Sequence, residues 1–234
     1  MINKDLMNFL NTQVYVVYSL SDVFDKGHDE RHIDEVKKYA IDIAKEVGYK
    51  NMNILLTAVY YHDVGIAIER DNHNIYSGKI VREDHRLKQF LSDAEIDAVI
   101  EAVEEHRTDC TKSSMLSKIV ADADKLDGLL DINRMFERCI LFTMSYKPEL
   151  TGEDLFEEVH KHLLEKCGSN GRIKLSINSI ENKYESTRLR VNSILNNRRC
   201  SHNIFDIELN KIVSRDNIVY IKNEHVEDNL RDIV

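Results

Sequence analysis

The sequence predicts an all-α protein, and three observations favour that class. The chain of 234 residues contains one Pro and eight Gly, so the residues that form turns are scarce. Apolar residues recur at intervals of three and four along most long segments, as they do on one face of an amphipathic helix. Charged residues make up 31% of the chain, and they fill the intervening positions that a helix exposes to water.

Local signals place the ends of several helices. The segment Lys26–Asp29 contains a glycine and interrupts the first helix, while Gly48 ends the second. Ser92 and Glu95 form the pattern of a capping box, which marks a helix start. The predicted helices cover, in chain order, residues 6–24, 30–47, 52–64, 75–91, 92–106, 116–130, 155–167 and 180–195.

The two parts of the chain differ in their content of ionisable residues within apolar segments. We expect residues 1–145 to form one helical domain, because the conspicuous His and Asp residues lie there. Residues 146–234 are predicted to be a helical extension that packs on the same domain. Within this extension Ile218–Ile221 has the composition of a short β-strand.

Composition also limits the partners and the compartment. The net charge of −9, with a pI near 5.6, disfavours DNA and anionic membranes as partners. The longest apolar runs are too short to cross a bilayer, and the N-terminus lacks the pattern of a signal peptide. Four scattered Cys without a C-x-x-C pair predict reduced thiols in the cytoplasm and disfavour a Cys-based zinc site.

The apolar run Ile54–Tyr61 leads directly into His62 and Asp63. Buried chain rarely carries two adjacent ionisable groups without compensation, and a divalent metal ion would compensate both. The alternative is a core histidine that bonds to a carbonyl. Gly65 follows, and we expect it to permit a close turn at the helix end. About one His-Asp pair is expected by chance in such a composition, so the metal hypothesis needs further candidate ligands.

Further candidates occur in separate segments, each at or near the end of a predicted helix or turn. A helical bundle can bring such residues together in its core. Imidazole and carboxylate ligands suit Mn, Fe, Co, Ni, Mg or Zn. The complete candidate set is His32, His62, Asp63, His73, His106 and Asp124.

The order of these residues resembles the signature H…HD…D of the HD-domain superfamily of metal-dependent phosphohydrolases. The matching positions are His32, the pair His62 and Asp63, and Asp124. The Gly-His-Asp sequence before His32 and the Ala-Asp-Lys-Leu-Asp sequence around Asp124 are similar to those of small bacterial members. The resemblance covers about residues 20–135 and implies an all-α HD-domain bundle that binds a divalent metal through these four residues.

His73 and His106 match positions that supply extra histidines in members with two metals, and here they are candidates for a second metal or for substrate contacts. One such group cleaves cyclic dinucleotides. This chain differs from that group: Ile66 replaces a Lys, His106 is followed by Arg107 instead of a second His, and a downstream Gly-Tyr-Pro element is missing. These differences disfavour cyclic-dinucleotide cleavage.

The resemblance implies hydrolysis of a phosphoester or phosphoanhydride in a small substrate, for which we predict a nucleotide. Asp63 and Lys125 are predicted to be catalytic, and Arg70, Arg107 and Lys125 to bind phosphate, with Arg31 as a further candidate. Two alternatives stay open: an HD module that binds metal or nucleotide without turnover, and a di-iron HD oxygenase. His28, Asp122 and Asp127 are predicted to play supporting roles rather than to bind metal. Dimerisation of two copies is left open.

Overall fold

The computed structural model describes residues 2–19 and 27–216. These residues form α-helices, shorter helical turns and loops, with no strand among them, so the all-α prediction is confirmed. The strand predicted at Ile218–Ile221 lies outside the described residues. The α-helices are α1 (Lys4–Phe9), α2 (Glu30–Val47), α3 (Met52–Tyr61), α4 (His73–Glu83), α5 (Asp93–Glu105), α6 (Met115–Leu129), α7 (Ile132–Tyr146), α8 (Gly152–Cys167), α9 (Asn178–Asn196) and α10 (Arg198–Asp216).

Helix α3 is the most deeply buried helix of the bundle. Every residue from Ile54 to Tyr61 is buried, as expected for a helix that is apolar on all sides. Helices α2 and α5 pack against α3, and α6 packs against both α2 and α5. The residues that follow α3 are therefore placed at the centre of the molecule.

Three predicted helix boundaries are confirmed. The Asp29 side chain accepts a hydrogen bond from the backbone N–H of His32 and caps α2. Gly48 ends α2 with a φ of 72°, a left-handed conformation that favours glycine. Ser92 and Glu95 form the capping box at the start of α5.

Two of the predicted helices are interrupted. The segment 6–24 is α-helical only to Phe9, then forms a π-helix over Leu10–Val14 and a 3₁₀-helix over Tyr15–Ser19. The segment 75–91 divides at Asp84, whose carboxylate accepts a hydrogen bond from the backbone N–H of Arg86 and starts a 3₁₀-helix. The apolar periodicity continues through these breaks, because residues on both sides contact the same core.

The C-terminal helices contact the first part of the chain. Helices α8 and α10 both pack against α7, and α9 contacts α6. Asp122, on α6, accepts hydrogen bonds from the backbone N–H groups of Ser176 and Ile177 at 2.6 and 2.9 Å, where α9 begins. Within the described part of the chain, no helix is long and apolar enough to cross a membrane.

Candidate metal centre

The bundle brings together all six predicted ligands, from five segments. His32 is near the start of α2, His73 is the first residue of α4, and His106 directly follows α5. His62 and Asp63 follow α3. Asp124 lies in the middle of α6, so its expected position near a helix end was wrong. All six are buried except Asp124, which is partly exposed.

The first group of ligand atoms belongs to His32, His62 and Asp124, which lie within 4.8 Å of one another. His32 Nε2 is 3.3 Å from Asp124 Oδ1 and also 3.3 Å from Asp63 Oδ2. His62 Nε2 is 3.2 Å from the same Asp63 oxygen. These separations fit donor atoms that surround one ion, since metal–ligand bonds of about 2.0–2.3 Å leave ligands roughly 3 Å apart.

The second group consists of Asp63, His73 and His106. Asp63 Oδ1 is 3.2 Å from His73 Nε2 and 3.4 Å from His106 Nε2. The two oxygens of the Asp63 carboxylate thus face different pairs of imidazoles. This arrangement can bridge two ions, so both ions would share Asp63 as a ligand.

Hydrogen bonds at Nδ1 fix the orientation of the four imidazoles. His62, His73 and His106 each place Nδ1 2.7–2.8 Å from the backbone carbonyl three residues earlier. His32 places Nδ1 2.8 Å from Asp127 Oδ2. Because these partners accept a hydrogen bond, Nδ1 donates and the Nε2 lone pair points towards the centre. Metal-binding histidines are usually held in this way.

The buried Nε2 atoms test whether the site fits a metal ion. Those of His32 and His62 lack a hydrogen-bond partner, although carboxylate oxygens lie 3.2–3.3 Å away. The Nε2 atoms of His73 and His106 are 3.1 Å apart, and with Nδ1 donating they present lone pairs to each other. When the imidazoles are neutral, unsatisfied buried acceptors cost free energy, and a cation would satisfy all four. The donor set therefore fits divalent metal ions.

The buried imidazoles and carboxylates at the centre shift one another's pKa values. Burial opposes a charged His32, as does Arg138, yet the carboxylates of Asp124, Asp127 and Asp63 outweigh both and raise its pKa to about 10. Burial alone would raise the pKa of Asp63, but His62, His106 and His32 hold it well below its usual range. Asp63 is therefore an anion at neutral pH, and a metal must displace a proton from His32 in order to bind there.

A set of basic residues supports Asp127. This carboxylate lies 2.9 Å from Arg138 Nη1 and 3.8 Å from Arg134 Nε. Both arginines belong to α7, so α7 fixes the group that orients His32. These contacts agree with the predicted supporting role of Asp127, and Asp122 accepts hydrogen bonds from the two residues that precede α9. The ring of His28 packs at 5.4 Å from that of His32.

Position 65 requires glycine for a different reason from the predicted one. Its φ is not positive, so a turn does not require glycine there. Instead, a Cβ atom at this position would lie 2.1 Å from the carbonyl oxygen of His73 and 2.5 Å from the backbone nitrogen of Ser77. The missing side chain lets α4 approach the His62-Asp63 segment, and Gly65 N donates to Ser77 Oγ at 2.8 Å. This contact brings His73 to Asp63.

The centre opens into a cavity of about 360 Å³, lined by Asp63, His73, His106 and Asp124. The predicted phosphate-binding residues Arg70, Arg107 and Lys125 line it as well. Arg31 is not among its lining residues and instead pairs with Glu137 at 3.1 Å. Sequence reasoning missed the basic lining residues that follow the motif region. These are Arg138, His162, Lys166 and Arg172.

Residues 30–129 match the model of the HD domain, a region that begins with α2 and ends with α6. The resemblance is confirmed, and this part of the chain is an HD domain. HD domains bind divalent metals and are largely metal-dependent phosphohydrolases, which indicates hydrolase-type chemistry here. Comparisons with curated proteins and with solved structures gave no significant match.

Proposed function

We propose that this protein is a phosphohydrolase that uses two divalent metal ions to cleave a phosphoester or phosphoanhydride in a small substrate, a nucleotide. The observation that carries the proposal is one cavity that joins two His/Asp ligand groups to the phosphate-binding candidates Arg70, Arg107 and Lys125. Carboxylates and imidazoles suit the metal, and guanidinium and ammonium groups suit the phosphate.

Asp63 has two tasks in this proposal. Its negative charge would offset that of the ions, and its two oxygens face different imidazoles, so Asp63 could serve both ligand groups. Asp124 adds a second carboxylate, and its partial exposure places it at the cavity wall. Divalent ions held there lower the pKa of bound water and polarise a phosphoryl oxygen. His62, His73 and His106 keep their positions through their Nδ1 bonds to the backbone.

Lys125 is the candidate for stabilising negative charge on the phosphoryl group. It follows Asp124 on α6, lines the cavity and is 8% exposed. Burial lowers its pKa, while Asp122 and Asp124 oppose that effect. A preorganised cation in a site shielded from water stabilises developing charge more strongly than one at the surface. Lys125 therefore acts on the transition state more than on substrate binding.

The size and the lining of the cavity both suit a nucleotide. Its volume of about 360 Å³ lies in the range of roughly 300–1,000 Å³ that is typical of small-molecule sites. Basic side chains suit phosphate, and apolar groups such as Leu129 and Phe142 suit the remainder of the substrate. The four free cysteines support a reducing compartment, the cytoplasm, as the place of this reaction.

The test is the release of phosphate or pyrophosphate from nucleoside mono-, di- and triphosphates, with the full chain loaded with Mn, Co, Ni, Mg, Fe or Zn. We expect metal-dependent turnover that Asp124→Asn reduces by several orders of magnitude with the fold intact. Lys125→Ala should reduce kcat by about 10²-fold, while Lys79→Ala, an exposed control, should leave it unchanged. Circular dichroism checks that each variant is folded.

Two other outcomes would replace the proposal. Tight nucleotide binding without turnover under all metals would establish a regulatory module. Oxygen consumption by the iron-loaded protein, with no phosphate released, would establish an oxygenase, for which a bridging carboxylate such as Asp63 is equally suitable.

A further inference from the structure

The cavity extends beyond the metal centre to a second group of basic side chains. We call it the distal basic cluster; its members are Arg70, His162, Lys166 and Arg172. Arg70 lies before α4, His162 and Lys166 lie on α8, and Arg172 lies in the loop that follows α8. Three of the four residues are outside residues 30–129, the region of the HD domain. Of these four residues, only Arg70 has a part in the proposed hydrolytic chemistry.

The positive charges of Lys166 and Arg172 have few carboxylates near them to balance them. Among the described residues, neither Lys166 nor Arg172 forms an ion pair. The charged groups that act on Lys166 are other cations, Arg138 and Arg70, together with the thiols of Cys139 and Cys167. Arg138 is itself neutralised by Asp127 at 2.9 Å.

The acidic residues around the cavity belong to other groups. Glu158 is the carboxylate that acts on His162, but it pairs with Lys147 at 2.6 Å. Asp63 and Asp124 belong to the metal centre. Asp71 and Asp109 line the cavity beside Arg107, whose guanidinium donates to the backbone carbonyl of Asp71. Lys166 and Arg172 therefore keep two positive charges that no carboxylate among the described residues pairs with.

Burial and neighbouring cations both act on the basic residues of α8. Burial is the largest cause that lowers the pKa of Lys166, and Arg138 and Arg70 lower it further. Burial also lowers the pKa of His162 to about 4, with added repulsion from Lys166 and Arg172. Gathering like charges in a partly enclosed cavity destabilises the protein without a ligand. A bound anion removes this cost, as is expected of a binding site.

We propose that Lys166 and Arg172, with Arg70 beside them, bind a second phosphate group of the substrate. The inference rests on the proposed function, and it narrows the substrate class to small molecules with more than one phosphate. One phosphoryl group reaches the metal centre, and another lies against α8 and the loop after it. The apolar lining residues Leu129, Met135 and Phe142 suit the uncharged part of such a molecule.

Charge and geometry favour phosphate over a carboxylate. Lys166 and Arg172 supply two charges without an acidic partner, and a phosphate monoester carries about −1.5 to −2 at neutral pH. A carboxylate would balance only one of them. Arginine also offers a planar fork of donors that matches phosphate oxygens, and lysine adds a mobile point charge. Phe142 helps to hold the cluster in place, since Arg70 lies 5.3 Å and the ring of His162 5.7 Å from its ring centre.

The first experiment measures the binding of inorganic phosphate to the full chain by calorimetry, in chelator and again with metal. In chelator the metal centre holds no ion, and the change in affinity caused by substituting Lys166 or Arg172 then reports on the distal basic cluster. We expect Lys166→Gln and Arg172→Gln each to weaken binding by about tenfold, which corresponds to one charge-assisted hydrogen bond. Lys166→Arg should retain most of the affinity, and Lys79→Gln, an exposed control, all of it. Equal affinity in the wild type and the Lys166→Gln/Arg172→Gln double variant would overturn the inference.

The second experiment compares metal-loaded turnover of a nucleoside 5′-monophosphate, its 5′-diphosphate and its 3′,5′-bisphosphate. We expect the wild type to prefer a substrate with two phosphates. Lys166→Gln should remove this preference by raising KM by about tenfold, with little change in kcat. Arg172 is exposed, so Arg172→Gln provides a variant whose folding is not at risk.

The two experiments separate this inference from the proposed function. If no nucleotide is hydrolysed, yet phosphate binding depends on Lys166 and Arg172, the binding site stands and the hydrolase proposal falls. If hydrolysis occurs with the same KM for the wild type and Lys166→Gln on every substrate, the hydrolase proposal stands and the second phosphate site is refuted.

Discussion

Asp63 has the greatest influence of any single residue at the centre. Its side chain is 3% exposed and lies within 3.4 Å of the Nε2 atoms of His32, His62, His73 and His106. Without this carboxylate, four imidazoles would surround the ions with only Asp124 to balance their charge. Neutral imidazoles donate a lone pair but no negative charge, so loss of Asp63 affects both ligand groups together.

We predict that Asp63→Ala abolishes metal retention. His73→Ala and His106→Ala should each lose about half of the bound metal, because they remove ligands of only one group. Metal analysis of protein purified without chelator and then dialysed measures these amounts. A metal content that Asp63→Ala leaves unchanged would refute the assignment, and full metal content in both histidine variants would favour a single ion.

Gly65 controls the approach of α4 to the centre. A Cβ atom there would meet backbone atoms of His73 and Ser77 at 2.1 and 2.5 Å, and backbone cannot move aside as a flexible side chain can. We predict that Gly65→Ala lowers the free energy of unfolding by about 1–3 kcal/mol or more, as overpacking does. It should also weaken metal binding, because it displaces His73.

Gly128→Ala is the matched control for this prediction. It lies in α6, and its Cβ would meet only Met135, at 4.0 Å, so it should be neutral or stabilising by about 0.4–1 kcal/mol. Urea denaturation with metal analysis of both variants makes the comparison. Equal stability of the two variants would show that α4 adjusts to the added methyl group.

At the scale of elements, Asp84 joins α3 to the end of α4. Tyr61 donates to this carboxylate at 2.7 Å, and the guanidinium of Arg86 donates two hydrogen bonds to it. Burial would raise the pKa of Asp84, but the bonds from Arg86 and Tyr61 outweigh it and lower the pKa. The folded protein therefore favours the ionised form more than the unfolded chain does.

This shift predicts a pH-dependent contribution to stability. Because the pKa of Asp84 is lower in the folded state, its contribution is fully present above the unfolded value of 3.8 and is lost as the pH falls through the folded value. Asp84→Asn should cost about 1–3 kcal/mol at pH 6, and the cost should shrink below about pH 4.

Urea denaturation in chelator between pH 3 and 7 measures the effect of Asp84→Asn without interference from metal binding. Asp42→Asn, in an exposed pair with Lys45, should differ from the wild type by no more than about 0.5 kcal/mol at every pH. A cost of Asp84→Asn that stays constant down to pH 3 would contradict the predicted linkage.

The helix boundaries also show which sequence signals are sufficient to locate a helix end. Asp29, Gly48 and the capping box at Ser92 mark their boundaries correctly, because capping depends on residues within four positions of the helix end. The break at Asp84 was not predicted: its carboxylate caps Arg86 two residues later, but the further bond from Tyr61 comes from 23 residues away. Periodicity alone cannot locate such a break, since the apolar residues on either side face the same core.

At the scale of the whole molecule, the convergence of the candidate ligands could be predicted and the rest of the cavity could not. His32, His62, Asp63 and Asp124 belong to a motif whose order along the chain is informative. Lys166 and Arg172 carry no local pattern. They reach the cavity only because α8 packs against α7 and because Asp122 fixes the loop before α9 to α6. Contacts between residues more than 50 positions apart leave no periodic trace in a single sequence.

The metal centre should also stabilise the fold as a whole. Its ligands come from five segments between α2 and α6, so the complete site exists only in the folded chain, and metal binding shifts the unfolding equilibrium. At a free metal concentration 100 times Kd, the stabilisation is about 2.7 kcal/mol per independent site.

We predict that chelator lowers Tm and that added Mn or Zn restores it in proportion to the logarithm of the metal concentration. Asp63→Asn, which keeps the size of the side chain but removes its charge, should make Tm nearly independent of metal. Scanning calorimetry of both proteins across a metal titration measures this, and a wild-type Tm that is the same in chelator and in saturating metal would mean that the buried imidazoles bind no ion.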